Sequence, residues 1–520
     1  MRGIVTVILV AALVAGCGRG QSAANREALD LPADPAVVHT SYGALRGTVA
    51  DDHRYFAGIP YAAPPLGEGR WRSPAPPPRW SGMRDATRPG PRCVQDVNHD
   101  VDRRPTSEDC LTLNVWTPPP SQQPRAVLVW FHGGGFLNGS SDFYNARRLV
   151  GRGDILVVTV NYRLSSLGFL AHPAFGPDSG NYGLADQQAA LRWVRDNIAG
   201  FGGDPDRVTI AGESAGGMSV CDHLVAPGSA GLFAGAIIQS APCTSHYDLP
   251  AAQRISERYA ADVGCPDPQQ AQACLRALPA EKLAAPLVYD HLGTEPLSGP
   301  VTGTPSLPSD PVTAMAQVRV PVLIGTTGDE FKLFAALQLM NGKPIDAARY
   351  PALLDEAFGP SARAVADQYR PEQFGGDVAL TYAAAMTDGD FACVADDIAD
   401  TLTSPVYAYE FNDHRAPAPE MFDDAPFPIG ASHSLELRYL FDVGGAPPLN
   451  PAQLRLSEQM IDYWSQFVRT GSPNAPGLPL WPAVDAVAAG PRMSLQPGGS
   501  RVITDYEQKH RCAFWAGLRG

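Results

Sequence analysis

The chain has 520 residues, and 44% of them are hydrophobic, so it is long and apolar enough to bury a large core. Its formal net charge is −14 at pH 7, and the sequence shows no basic cluster. Because binding to phosphate backbones requires clustered Lys and Arg, these values exclude nucleic acid as an expected partner.

The first residues carry an export signature. Arg2 precedes an apolar run at residues 4–15, which is too short for the ~20 apolar residues of a membrane-spanning helix and suits a signal peptide over residues 1–16. The sequence Val-Ala-Gly-Cys ending at Cys17 resembles a bacterial lipobox. We therefore expect Cys17 to carry lipid, residues 17–34 to form a flexible tether, and the protein to be a cell-envelope lipoprotein bound to the membrane through this lipid. Ordinary cleavage nearby and secretion are the alternative.

Residues 35–520 are interpreted as one α/β domain. Apolar runs typical of buried strands alternate with helical stretches, which predicts a large, mostly parallel sheet with helices on both faces. Residues 37–62 and 111–117 are expected to be antiparallel strands at the leading edge, and 185–199 an amphipathic helix. The strand-like runs lie at residues 126–131, 155–162, 208–211, 235–239, 320–325 and 405–411.

A glycine-rich turn follows the first parallel strand. His-Gly-Gly-Gly-Phe occupies residues 132–136, directly after the apolar run 126–131. Glycines let a backbone approach a substrate closely, and preorganised backbone amides can stabilise a developing oxyanion. We assign the amides of Gly134 and Gly135, together with that of Ala215, to an oxyanion hole. An ordinary strand-to-helix turn is the competing interpretation.

Ser214 is the candidate nucleophile. It stands in Gly-Glu-Ser-Ala-Gly at residues 212–216, behind the strand-like run 208–211 and ahead of a helical stretch. This order is that of a nucleophile elbow, a strained turn that exposes a serine and needs small flanking residues. The pentapeptide alone is a weak signal, but its strand and helix context is present here.

A serine nucleophile needs a base, and the base needs an acid that orients it. The loop after the strand-like run 320–325 contains Asp329 and Glu330, and either could be the acid on spacing alone. Among the histidines that follow, His433 stands in a loop of small residues and is the preferred base. His414 is the second choice, whereas His510 lies among charged residues and is interpreted as a surface group.

With these residues in place, the chain resembles the carboxylesterase type B family over nearly its whole mature length. The resemblance implies the α/β-hydrolase fold and ester hydrolysis by a catalytic triad. In that family the acid is the glutamate of an Asp-Glu pair and the base stands in a Gly-Ala-x-His loop, which correspond here to Glu330 and His433. Besides the elbow, the motifs that carry the resemblance lie at residues 56–62, 70–71, 107–115, 161–163, 168–169, 180–187 and 201–205.

The resemblance also implies three disulfides, namely Cys93 with Cys110, Cys265 with Cys274, and Cys393 with Cys512. Cys221 and Cys243 remain, and a fourth bridge or two buried thiols are both compatible with the sequence. No His, Cys or carboxylate spacing indicates a metal site, and no cofactor is expected.

The predicted function is two-step hydrolysis of small-molecule carboxylic esters with short or medium acyl groups, with activity falling below a histidine pKa of roughly 6 to 7. The loop at residues 94–109 contains no aromatic residue, which disfavours choline esters because their ammonium group is bound by cation–π contacts. Amidase, thioesterase or carbamate hydrolase activity would use the same groups. A non-catalytic adhesion role, known for some members of the family, is the alternative of another class.

Overall fold

Eleven strands of the described part of the chain form one sheet, and this sheet holds the predicted catalytic loops. The computed structural model describes residues 34–96, 104–484 and 490–519. The predicted signal peptide, Cys17 and the tether except for its last residue therefore lie outside the described residues. No helix within the described ranges combines the length and the apolar character that a bilayer crossing requires.

The strands are numbered in chain order. Those of the large sheet, from one edge to the other, are β20 (Arg501–Ile503), β19 (Arg492–Leu495), β18 (Val406–Phe411), β17 (Val322–Thr327), β12 (Gly235–Gln239), β11 (Gly203–Glu213), β9 (Arg125–Phe131), β10 (Leu156–Val160), β8 (Thr112–Thr117), β4 (Arg54–Pro60) and β3 (Thr48–Val49). The remaining short strands are β1 (Val37–His39), β2 (Ala44–Arg46), β5 (Met83–Asp85), β6 (Arg92–Cys93), β7 (Thr106–Ser107), β13 (Tyr247–Asp248), β14 (Asp290–Leu292), β15 (Glu295–Leu297) and β16 (Val301–Thr302).

The middle of the large sheet is parallel from β19 to β10, whereas β20 at one edge and β8, β4 and β3 at the other are antiparallel. Alternate residues of β9 show that both faces are buried. Val127, Val129 and Phe131 belong to one hydrophobic cluster, and Leu128 and Trp130 to another on the opposite face. This is the predicted α/β-hydrolase architecture.

Helices cover both faces and are also numbered in chain order. They are α1 (Arg147–Gly153), α2 (Ser165–Phe169), α3 (Tyr182–Asn197), α4 (Ala215–Val225), α5 (Leu249–Asp262), α6 (Ala271–Ala277), α7 (Ala280–Leu283), α8 (Pro311–Ala314), α9 (Lys332–Met340), α10 (Tyr350–Phe358), α11 (Ala362–Gln368), α12 (Val378–Met386), α13 (Cys393–Thr401), α14 (Pro451–Thr470), α15 (Tyr506–Lys509) and α16 (Cys512–Arg519). A π-helical turn, Thr387–Ala392, joins α12 to α13.

The predicted strands are found within a few residues of their expected bounds, with two differences. β11 begins at Gly203, five residues before the predicted run, and its register against β9 shifts between Gly203 and Val208. Strands β1 and β2 do not join the large sheet but pair with β5 in a separate three-stranded sheet. The predicted helix 185–199 is α3, which begins at Tyr182 and continues into a 3-10 turn at Ile198–Phe201.

Four disulfides are present among the described residues. The three pairs implied by the family resemblance are formed: Cys93 with Cys110, Cys265 with Cys274, and Cys393 with Cys512. Cys221 and Cys243 form the fourth, which fixes α4, the helix that follows Ser214, to the loop after β12. The alternative of two free thiols is therefore wrong.

Candidate active site

Ser214 occupies the sharp turn between β11 and α4. Its backbone has φ 58° and ψ −125°, a conformation that a residue with a side chain rarely adopts. The flanking glycines are required by space, since a Cβ on Gly212 would lie 2.3 Å from Gly216 and one on Gly216 would lie 2.1 Å from the Phe131 carbonyl oxygen. Ser214 is partly exposed while the residues on either side of it are buried, so the turn presents its hydroxyl to an accessible space.

Glu330 and His433 form a buried pair. Nδ1 of His433 lies 2.6 Å from Oε2 of Glu330, and the Thr327 amide donates to Oε1 at 2.7 Å. The backbone amide of His433 also donates to the Glu330 carbonyl oxygen at 3.2 Å. Glu330 is therefore fixed on both carboxylate oxygens and orients the imidazole, as the acid of a triad must.

The two alternatives, Asp329 and His414, contact each other instead. Nδ1 of His414 lies 2.8 Å from Oδ2 of Asp329, and Lys332 lies 3.0 Å from the other carboxylate oxygen. The His414 side chain is 60% exposed. Burial raises the pKa of Asp329, but the hydrogen bond to His414 and the charge of Lys332 outweigh it and lower this pKa. This surface cluster is separate from the Glu330–His433 pair.

The second imidazole nitrogen points toward the elbow. Nε2 of His433 lies 3.1 Å from Oε1 of Glu213, the residue immediately before Ser214. The Ser214 hydroxyl makes no hydrogen bond within the described ranges. The structure therefore brings His433 next to the elbow, but the serine-to-histidine hydrogen bond is not made. Catalytic hydrogen bonds of this kind commonly tighten only when substrate binds.

Three buried glutamates surround His433: Glu213, Glu330 and Glu436. Burial raises the pKa of Glu213, and burial together with the other two carboxylates raises that of Glu436. Burial alone would lower the pKa of His433, but the charge of Glu213 and the hydrogen bond to Glu330 outweigh it and raise this pKa to about 9. That value is higher than the roughly 6 to 7 expected for an ordinary histidine.

The predicted oxyanion hole has free donors. The amides of Gly134, Gly135 and Ala215 donate to no other described residue. The carbonyl oxygens of the same turn accept hydrogen bonds. The backbone amide of Ser298 donates to the Gly135 carbonyl oxygen at 2.9 Å. The Tyr162 hydroxyl donates to the His132 carbonyl oxygen at 2.6 Å. An anchored turn with unpaired amides is the arrangement that stabilises an oxyanion without reorganisation.

Aromatic rings form an apolar wall beside the base. The ring centroids of Phe334 and Phe391 lie 5.0 and 5.3 Å from that of His433. Phe331 packs against Phe334 at 5.1 Å. Phe391 comes from the π-helical turn, a distortion that often occurs at functional sites. Such a wall limits the access of water to the imidazole and offers an apolar surface to a substrate.

Sequence analysis missed Glu213 and Glu436 as neighbours of the base. The elbow motif assigns no role to the residue before the serine, but a charged residue at that position is a signal that could have identified Glu213. The interpretation of His510 as a surface group was wrong, because it is 2% exposed. Its Nδ1 lies 2.5 Å from Asp388 and its Nε2 lies 2.7 Å from Glu410. Two distant carboxylates bury this histidine, and the charged residues adjacent to it in sequence gave no sign of them.

One carboxylate cluster could be considered for a cation. Among the described residues, oxygens of Asp396, Asp400 and Glu507 lie within 4.8 Å of one another. Arg492 forms an ion pair with Asp396, so the cluster already contains a cationic group. None of these residues belongs to the Glu330–His433 pair or to the elbow.

Comparison with known proteins identifies the family of the chain. A protein-family model described as "Carboxylesterase family" matches residues 34–515. The para-nitrobenzyl esterase of Bacillus subtilis is 35% identical over 477 residues, which cover 86% of this chain and 92% of that protein. The pyrethroid hydrolase Ces2e of Rattus norvegicus is 33% identical over 518 residues, covering 92% of this chain and 88% of that protein. The structure of a thermophilic PNB esterase superposes with a TM-score of 0.80 at 30% identity, covering 92% of this chain and all of that one. The chain belongs to the carboxylesterase family.

Proposed function

We propose that Ser214, Glu330 and His433 are the catalytic triad with which this carboxylic ester hydrolase cleaves its substrates. The observation that carries this assignment is the 2.6 Å contact between Glu330 and His433. These residues are 103 positions apart in sequence, and they meet beside the elbow that presents Ser214. A buried, oriented imidazole next to a partly exposed serine on a strained turn is the arrangement that acyl transfer requires.

The reaction proceeds in two steps. Neutral His433 removes the Ser214 proton through Nε2, and Oγ forms a bond to the ester carbonyl carbon. The carbonyl oxygen becomes an oxyanion that accepts hydrogen bonds from the amides of Gly134, Gly135 and Ala215. His433 then protonates the leaving alcohol as the carbon–oxygen bond breaks. Water, deprotonated by the same imidazole, attacks the acyl-enzyme and releases the acid and Ser214.

Short or medium acyl esters are the proposed substrates. The rings of Phe334 and Phe391 beside His433 supply an apolar wall against which an acyl chain can pack. Relatives include a para-nitrobenzyl esterase, whose name describes an aromatic ester. A series of p-nitrophenyl esters from acetate to palmitate tests this range, and we expect kcat/KM to be highest between two and eight acyl carbons. A maximum at palmitate would contradict it.

The triad is tested with Ser214→Ala and with a fluorophosphonate, which forms a covalent bond to an activated serine. We expect Ser214→Ala to lower kcat by about 10⁴-fold or more with an unchanged circular dichroism spectrum. The fluorophosphonate should label the wild-type protein at Ser214 alone, as read by peptide mass spectrometry. Undiminished turnover in the variant would refute the assignment. An unreactive Ser214 would favour a binding role instead.

We further propose that the protein is an exported lipoprotein, with residues 1–16 removed and Cys17 modified. The support is the sequence alone, an apolar run followed by Val-Ala-Gly-Cys. Expression of the full chain in a bacterium fed an alkyne fatty acid should give a labelled protein in the membrane fraction. Cys17→Ser should abolish the label and release the protein. A membrane-bound Cys17→Ser variant would refute lipid anchoring at this residue.

A further inference from the structure

Ser434, the residue after the catalytic base, has an unusual backbone. Its φ is 67° and its ψ is −6°, in the left-handed region that favours glycine over every other residue. It stands between the loop of His433 and a 3-10 helix at Leu435–Tyr439. In this conformation serine is less stable than glycine would be. The presence of serine therefore indicates a role for its side chain.

The Ser434 hydroxyl donates a hydrogen bond to Glu213. Oγ lies 2.5 Å from Oε1 of Glu213, and the same carboxylate oxygen lies 3.1 Å from Nε2 of His433. Apart from Nε2 of His433, Ser434 is the only hydrogen-bond donor that the described residues supply to the Glu213 carboxylate. One oxygen is therefore shared between this hydroxyl and the imidazole nitrogen that must accept the proton of Ser214.

A carboxylate at this distance acts against the base. A full negative charge 3.1 Å from Nε2 favours the imidazolium, in which Nε2 already carries a proton and cannot accept another. The Ser434 hydroxyl opposes protonation of Nε2, because its hydrogen bond takes up part of the negative charge on the shared oxygen and competes with Nε2–H for that oxygen.

We propose that Ser434 is a positioning residue whose hydroxyl fixes Glu213 and lowers the proton affinity of the Glu213–His433 pair, so that Nε2 is available to Ser214. This role rests on the proposed triad, because it concerns the protonation of the base. It assigns Ser434 no contact with the substrate.

Each of the other two carboxylates around His433 has a hydrogen-bond partner of its own. Glu330, on the loop after β17, contacts Nδ1 and accepts from the Thr327 amide. Glu436, on the 3-10 helix, accepts a hydrogen bond from Nε2 of Gln239 at 3.1 Å. From α9 and the π-helical turn, the residues that meet the imidazole are the uncharged rings of Phe334 and Phe391. Glu213 is therefore the carboxylate whose charge a change at Ser434 would alter.

The test compares Ser434→Ala with Ser434→Gly. Both variants lose the hydroxyl, whereas only glycine relieves the left-handed backbone. We expect the acid limb of the kcat/KM profile to move to higher pH by about 0.5 to 1 unit in both variants. At a pH below this limb kcat/KM should fall about three- to tenfold, with an unchanged value on the alkaline plateau. The thermal midpoints should diverge, that of Ser434→Gly being the higher.

A double variant locates the effect at Glu213. In a Glu213→Gln background the carboxylate charge is gone, so Ser434→Ala should cause no further displacement of the acid limb. If Ser434→Ala displaced the acid limb further in this background, the role of Ser434 would be overturned. A displacement of the acid limb in Ser434→Ala but not in Ser434→Gly would also overturn it, because the cause would then be backbone strain and not the loss of the hydroxyl. Wild-type profiles in both single variants would also overturn this role while leaving the triad intact, provided that Ser214→Ala is inactive. Turnover by Ser214→Ala would instead refute the triad itself.

Discussion

Two buried histidines in this protein have similar electrostatic surroundings and different neighbours. His433 lies near Glu330 and Glu213, and His510 lies near Asp388 and Glu410. For both, carboxylates outweigh the effect of burial and raise the pKa to about 9. A raised pKa therefore does not by itself distinguish a catalytic histidine from a structural one.

The difference lies in what the second ring nitrogen can reach. His510 has both nitrogens in hydrogen bonds to carboxylates, at 2.5 and 2.7 Å, and Tyr369 secures the other oxygen of Asp388 at 2.6 Å. His433 has one nitrogen fixed by Glu330, while the other lies next to the partly exposed elbow. We infer that His510 joins the C-terminal segment to the π-helical turn, and that His433 is left able to exchange a proton.

The largest expected effect is on activity at His433. Replacing His433 by Ala removes the general base, and we expect kcat to fall by about 10⁴-fold or more. His414→Ala is the matched control, because His414 also pairs with a carboxylate of the acid loop but is 60% exposed. Ester hydrolysis by the purified variants measures both. A severe loss in His414→Ala with full activity in His433→Ala would exchange the two assignments.

His510 should show the opposite pattern. Replacing His510 by Gln leaves Asp388 without its cation and Glu410 with the ammonium group of Lys509 alone, and we expect the free energy of unfolding to fall by about 3 kcal/mol or more. The kcat of the folded variant should stay within about threefold of wild type, because His510 contacts no triad residue. Urea unfolding and ester hydrolysis at pH 7 measure the two quantities. A catalytic loss without a loss of stability would contradict a structural role.

The pH dependence of this stability has a definite sign. The pKa of His510 is about 9 in the folded protein and about 6.5 when unfolded. The stabilisation is therefore fully present below pH 6.5 and is lost as pH rises through about 9. Between these values, the free energy of unfolding of the wild type should decline more steeply than that of His510→Gln. Parallel curves would show that His510 does not gain a proton on folding.

The two histidines also show how far the sequence alone could lead. The contact of His433 with Glu330 could be predicted, because its loop of small residues follows the candidate serine and acid in the order that the family uses. His510 was misread because its burial depends on Asp388 and Glu410, which are about a hundred positions away and carry no local signal. The pairing of Cys221 with Cys243 could not be decided from the sequence for the same reason, since sequence spacing does not give the distance between two side chains. Long strands were predictable from apolar runs, but β1 and β2 were too short to indicate which sheet they join.

A smaller effect is expected from Glu213. Its charge is the main contribution that raises the pKa of His433 against burial, so Glu213→Gln should lower that pKa. We expect the acid limb of kcat/KM to move to lower pH by about one unit. Glu436→Gln is the control, because Glu436 contributes less to the pKa of His433 than Glu213 and Glu330 do. If Glu213→Gln and Glu436→Gln displaced the acid limb equally, Glu213 would not contribute more than the other glutamates to the pKa of His433.

The smallest effect concerns Lys509, the neighbour of His510. Its ammonium group also contacts Glu410, but the side chain is 41% exposed, so water screens the pair. We expect Lys509→Gln to lower the free energy of unfolding by about 0.5 kcal/mol or less, which urea unfolding can place beside His510→Gln. If both variants lost the same stability, the lysine and not the buried imidazole would be the cation that Glu410 requires. The structural role inferred for His510 would then depend on its contact with Asp388 alone, because Glu410 would no longer need the imidazole.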